Sequence, residues 1–231
     1  YISSTKSSST VFKAQSGFGI DDYVISPNKK YLSTWEVKFA SGSAILQGGQ
    51  SRVYSVDLQN PGVKNLIYDE VSDKDTPIHY PRAITDTGDI YSDTFLPNSG
   101  AGWAYGMSVS NLAGTAKEDL PQMKNGTYGT QPALSPNGLT LSFAGYEASD
   151  GAKVEYGFRK ALISPTTIGS FNIQNKIRET LLNLSGDYIS YVAWDETGGN
   201  LIFNRLSKNA ALTGFYLYDL FSKTSKKIDL P

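Results

Sequence analysis

The sequence predicts an all-β protein, a β-propeller of four complete four-stranded blades plus a partial N-terminal blade. Three observations predict it. A tight turn recurs between two short apolar segments, the turns are spaced widely enough to hold four strands, and an aromatic-rich strand ending in Asp-Leu appears twice.

The turn is clearest at Tyr23-Val24-Ile25, then Ser26-Pro27-Asn28-Lys29-Lys30, then Tyr31-Leu32-Ser33-Thr34-Trp35. The second copy is Arg82-Ala83-Ile84, Thr85-Asp86-Thr87-Gly88-Asp89, Ile90-Tyr91. The third is Pro132-Ala133-Leu134, Ser135-Pro136-Asn137-Gly138, Leu141-Ser142-Phe143, and the fourth is Val192-Ala193-Trp194, Asp195-Glu196-Thr197-Gly198-Gly199, Leu201-Ile202-Phe203. Proline presets φ for the first central position of a turn, and Asn, Asp and Gly accept the positive φ that closes it. Ser or Asp in front can hydrogen-bond the turn backbone. Each copy therefore reads as the hairpin between the first two strands of a blade.

Pro27, Asp86, Pro136 and Glu196 are equivalent, and they lie 59, 50 and 60 residues apart. That period holds four strands of five or six residues with their loops. Arg52 to Leu58 and Val63 to Tyr68 supply the third and fourth strands of the first repeat. Phe215 to Leu220 and Lys226 to Leu230 fill the same slots in the last, and both third strands end in Asp-Leu. Tyr105 to Ser110 and Gly157 to Ile163 are expected as the third strands of repeats two and three. Ile177, Leu181 and Leu184 keep a helical spacing within Ile173 to Leu184, which reads either as a short helical insertion or as an irregular outer strand.

Blades are expected at about residues 18–70, 77–124, 128–184 and 188–231. Residues 1–17 are out of phase: Tyr1 to Ser4 and Thr10 to Ala14 read as the last two strands of a preceding blade. The chain starts at Tyr1 rather than Met and offers no spare first hairpin, so it is expected to be a processed or truncated piece of a six- to eight-bladed ring.

An apolar strand, Ser-Pro-Asn/Asp-Gly, an apolar strand, then a strand ending in Asp-Leu resembles the WD40-like propeller repeat of TolB-type periplasmic proteins. The same repeat occurs in propeller domains of prolyl-oligopeptidase-like enzymes. The resemblance covers residues 18–231, is good at Ser26-Pro27-Asn28 and at Ser135-Pro136-Asn137-Gly138, and weakens where Pro becomes Asp86 or Glu196. It implies a fold and an extracytoplasmic setting. The matched residues make turns and carry no reaction.

Composition narrows function by exclusion. With 21 basic and 22 acidic residues the net charge is −1, which argues against nucleic acid or an acidic membrane surface as partner. No apolar run approaches the length of a membrane span, and no signal peptide is recognisable. The absence of cysteine removes disulfides, thiolate metal sites and cysteine nucleophiles. One histidine, His79, removes every site that needs two. No Gly-x-Ser-x-Gly elbow and no phosphate loop is present, and Gly100-Ala101-Gly102 lacks dinucleotide spacing. Asp21-Asp22 and Asp73-Lys74-Asp75 supply too few oxygens for calcium and read as solvated turns. No catalytic residue, cofactor or metal is expected.

What remains is a loop face. In a propeller the loops that enter strands one and three emerge at one end of the sheets. Those loops carry His79, Tyr80, Arg82, Trp103, Tyr128, Tyr146 and Tyr188. Aromatic and Arg residues gathered on a rigid frame suit binding. His79 reads as a histidine on the loop between blades, and with Tyr80 and Arg82 it makes the most suggestive polar cluster. The expectation is a non-catalytic extracytoplasmic scaffold that binds another protein or a cell-surface polymer. The alternatives are a propeller accessory to a peptidase or hydrolase, or a propeller glycosidase or lyase with carboxylates converging from several blades.

Overall fold

The computed structural model describes residues 10–39, 49–71, 76, 78–96, 103–120, 128–146, 166–184 and 186–229. Among these, sixteen strands form four antiparallel four-stranded sheets. Blade 1 contains β1 (Gly19–Ile25), β2 (Tyr31–Lys38), β3 (Gln50–Asp57) and β4 (Lys64–Val71). Blade 2 contains β5 (Ile78–Ile84), β6 (Ile90–Leu96), β7 (Trp103–Ser110) and β8 (Lys117–Asp119). Blade 3 contains β9 (Tyr128–Leu134), β10 (Thr140–Tyr146), β11 (Thr167–Asn172) and β12 (Arg178–Asn183). Blade 4 contains β13 (Tyr188–Trp194), β14 (Asn200–Leu206), β15 (Gly214–Asp219) and β16 (Thr224–Ile228), with one 3-10 turn at Ala210–Leu212.

The first hairpin of every blade closes by the same hydrogen bonds. In blade 1 the Ser26 hydroxyl oxygen accepts from the Lys30 and Tyr31 amides at 3.1 and 3.0 Å, and the hydroxyl donates to Asn28. In blade 3 Ser135 does the same for Thr140 and Asn137. The weaker repeats reach the same end with other oxygens: Thr85 accepts from the Asp89 amide at 2.9 Å, and Asp195 from the Asn200 amide at 3.0 Å. The fourth turn residue always needs a left-handed backbone, and it is Gly88, Gly138 or Gly198 in three blades but Lys29, at φ 60°, in the first.

The second turn of each blade follows an equally regular rule. The third strand ends in, or is followed directly by, Asp57, Asn111, Asn172 or Asp219, and that side chain accepts from amides two to five residues on. The next residue, Leu58, Ile173 or Leu220, donates its amide to the first turn, to the carbonyls of Lys30, Leu139 and Gly199. The Asp-Leu ending is thus an Asx turn with a backbone tie, Asn172-Ile173 makes both as well, and Asn111-Leu112 shares the Asx turn.

That degeneracy corrects the reading of blade 3. Its third strand is β11, ending in Asn172-Ile173, whereas Gly157 to Ile163 lies outside the described residues. The stretch with helical spacing contains β12, an outer strand paired to β11, so the strand alternative holds. Thr10 to Ala14 forms no strand. It packs instead on blade 1, where the Phe12 ring lies 5.5 Å from Tyr54 and Gln15 bonds to Tyr54 and Arg52 at 3.0 and 2.6 Å. Tyr1 to Ser4 lies outside the described residues.

The cores lie between blades. Trp35, Val53 and Tyr68 of blade 1 pack on Ile78, Ile84 and Ile90 of blade 2. Tyr91 and Met107 of blade 2 pack on Leu141, Phe143 and Phe171 of blade 3. Ile168 of blade 3 packs on Ile189, Phe203 and Tyr218 of blade 4. Partly buried polar ties cross two of these boundaries: Ser55 to the Leu112 carbonyl at 2.6 Å between blades 1 and 2, and Trp194 to the Ala133 carbonyl at 3.0 Å and Tyr218 to the Leu181 carbonyl at 2.8 Å between blades 3 and 4.

Blade 3 fills its inner face by laying Phe143 across Gly169, its register partner; a Cβ at Gly169 would stand 2.3 Å from Phe143 Cε2. Phe143 is fully buried and cannot yield. Gly169→Ala is therefore expected to destabilise by about 1–3 kcal/mol, the range for overpacking a core, read as a lower midpoint in guanidinium unfolding.

Candidate functional site

The strands set where the candidate residues fall. His79 and Tyr80 stand near the start of β5, Trp103 opens β7, Tyr128 opens β9, Tyr146 closes β10 and Tyr188 opens β13. All lie at the same end of their sheets, opposite the hydrogen-bonded turns. Register brings Tyr128 and Tyr146 directly opposite each other, Trp103 opposite Leu96, and Tyr188, which is 38% exposed, opposite Leu206.

His79 is a strand residue rather than a loop residue, because β5 begins at Ile78. Its backbone amide donates to Glu70 Oε2 at 2.8 Å, and its Nδ1 meets Glu70 Oε1 at 2.6 Å. One carboxylate of β4 thus grips both the backbone and the ring. The imidazole lies flat on the Tyr68 ring, with centroids 3.9 Å apart, and Lys117 of blade 2 covers that ring at 4.3 Å. A carboxylate at Nδ1 selects the tautomer with the proton there and leaves the Nε2 lone pair for an incoming group.

Tyr80 and Arg82 form a second group. The Tyr80 hydroxyl donates to Asp22 of β1, across the blade boundary, and the Tyr80 ring packs on Trp35 at 4.4 Å. Burial, then the bond to Asp22, push the phenol well above its ordinary range, so it remains a donor. The Arg82 guanidinium lies 3.9 Å over the same ring and bonds through Nε to Asp93 at 2.7 Å. Asp93 is 1% exposed while Arg82 keeps a third of its side chain in solvent, so a buried acid anchors a partly exposed Arg. At the same end of blade 4, Arg205 Nε bonds Asp187 at 2.8 Å, beside Tyr188.

Sequence reasoning finds His79, Tyr80 and Arg82 but misses their partners. Asp22, read as a solvated turn, is in a strand and paired. Glu70 lies just past the expected end of the fourth strand at Tyr68, and β4 in fact runs to Val71. Asp93 falls in β6 with no local signal. Among the described residues no group of three or more His, Asp or Glu side chains could hold a metal ion.

No protein-family profile matches the chain, and no curated protein matches it. Solved structures do. An oligogalacturonate lyase in complex with manganese matches with a TM-score of 0.68 at 15% identity, over 97% of this chain and 57% of that one. The oligogalacturonate lyase of Vibrio parahaemolyticus matches with 0.63 at 11%, over 95% and 56%. A puromycin-hydrolysing peptidase of Mycobacterium tuberculosis matches with 0.55 at 14%, over 92% and 30%. At these identities the likeness shows the fold: the chain is a β-propeller. It spans a little over half the length of the two lyases.

The single histidine makes the dyad directly observable. In ¹⁵N-histidine spectra at mildly alkaline pH, His79 is expected as the Nδ1–H tautomer. Glu70→Gln, whose amide competes for the same position, is expected to shift the population toward Nε2–H.

Proposed function

We propose that the chain is a non-catalytic, extracytoplasmic binding propeller. It uses the sheet end bearing His79, Tyr80, Arg82, Trp103, Tyr128, Tyr146 and Tyr188 to hold another protein or a cell-surface polymer. The observation that carries this reading is the pairwise fixing of that surface across blades 1 and 2. Glu70 holds His79, Asp22 holds Tyr80 and Asp93 holds Arg82, each from another strand. Side chains already ordered lose little freedom on binding, which favours recognition. The TolB-like repeat, the low charge and the lack of cysteine support the extracytoplasmic setting. Residues 1–17 belong, in this reading, to a preceding blade. No helix among the described residues is long and apolar enough to cross a membrane.

A second reading is favoured by one observation. A histidine whose Nδ1 is held by a carboxylate is also the arrangement of a general base. The fold neighbours are lyases and peptidases by name. In that reading the chain is part of a propeller lyase, or a propeller that serves a peptidase.

Placing a photo-crosslinking phenylalanine at Tyr188, and in a second protein at the fully exposed Phe221 of the opposite end, tests the first reading against cell-envelope extract. Adducts at position 188 with few or none at 221 are expected. Adducts at 221 alone, or equal labelling at both, would reject the proposed face. Turnover of oligogalacturonate by wild type, lost in His79→Ala, would instead select the second reading.

A further inference from the structure

Arg178 opens β12, the outermost strand of blade 3, at the turn end of the sheets and away from the His79 face. Register sets it beside Phe171, which in turn pairs with Leu141, so the row Leu141–Phe171–Arg178 runs outward along the face that packs on blade 2. The guanidinium lies 5.5 Å from the Phe171 ring and 5.4 Å from the Phe143 ring. Its Nε and Nη2 are sealed from solvent, and neither has a hydrogen-bond partner. Among the described residues no carboxylate pairs with it. Burial lowers the guanidinium to about 10, as expected for a cation placed among aromatic rings without a counter-ion.

Nε and Nη2 are the two donors of one guanidinium edge, spaced to meet two oxygens of a planar or tetrahedral oxyanion. Cation–π contacts to two faces satisfy part of the charge and none of the N–H groups. A buried unpaired charge is costly unless an opposite one meets it. The outer strand of blade 2, β8, has three residues against six in β12. Arg178 itself remains partly exposed, which gives a route inward.

We propose that the rim between blades 2 and 3 is a carboxylate-binding site, with the Nε/Nη2 edge of Arg178 as its anchor and Phe143 and Phe171 as its apolar walls. One cation is matched by one negative charge. A dianion such as sulfate would leave a net charge in the same apolar wedge, so a monoanionic carboxylate fits better. The site stands apart from the proposed binding face and does not depend on it.

The test uses the 1–231 chain with acetate, with a short glutamate-ended peptide and with sulfate, against chloride at equal ionic strength. A carboxylate that binds the native state raises the melting temperature with concentration. Both carboxylate probes are expected to do so, and sulfate less. Acetate acting alone identifies a free small acid as sufficient, while the peptide acting alone identifies a protein-borne carboxylate. Arg178→Met keeps the stem over the rings and is expected to weaken the apparent affinity by about tenfold or more. Arg178→Lys keeps the charge but not the planar edge, and is expected to weaken it similarly. Should the variants fail to fold, the ¹⁵Nε–H resonance of Arg178 in wild type reads binding directly and is expected to move on titration. A response that is absent in wild type, or as large in Arg178→Met, overturns the proposal, as does an unmoved Arg178 resonance.

Discussion

A twisted four-stranded sheet has two faces and cannot bury either by itself. Everything else in this chain follows from stacking such sheets so that each covers the next. The large buried side chains lie in the wedges between blades: Trp35 and Tyr68 against Ile78 and Ile90, Tyr91 against Phe143, Ile168 against Phe203 and Tyr218. Blades 2 and 3 are covered on both sides. The turns are built to keep the sheets in register for this packing, with Ser26, Thr85, Ser135 and Asp195 closing one turn and Asp57, Asn111, Asn172 and Asp219 the other. The amides of Leu58, Ile173 and Leu220 tie the two turns together.

Stacking also explains what a sequence reader can and cannot see. The first turn is local, so Ser26-Pro27-Asn28 and Ser135-Pro136-Asn137-Gly138 announce it, and the weaker copies at Thr85 and Asp195 remain legible by spacing. The second turn accepts either Asp or Asn and either Leu or Ile, which hides Asn172-Ile173 and displaces the expected third strand of blade 3. Leu181 and Leu184 pack toward the blade 4 core from an outer strand and its exit, and that mixture imitates a helical spacing. The site partners are harder still. Asp22 and Tyr80 are 58 residues apart and meet only because consecutive blades place β1 beside β5. Arg178 is visible as an arginine, but its lack of a partner exists only in three dimensions.

The two ends of the sheets have different chemistry. Away from the turns, polar side chains are paired with one another: His79 with Glu70, Arg82 with Asp93, Arg205 with Asp187. At the turn end carboxylates are spent on backbone amides, and hydrogen bonds from Asn200 and then Thr197 hold the Asp195 carboxyl down to about 2. Arg178 departs from both patterns: among the described residues no acid pairs with it, and the outer strand of the neighbouring blade is the shortest of the four.

Native-state hydrogen exchange by strand tests the central claim most directly, since each blade is held by its neighbours. Blades 2 and 3 sit in two wedges each, whereas blade 4 shows Tyr191 and Leu206 to solvent, 66% and 42% exposed. The slowest exchange is expected in β6 and β10, with earlier opening of β14 to β16 as a unit. Exchange that is equally slow in all four blades, or slowest in β14 to β16, would contradict it.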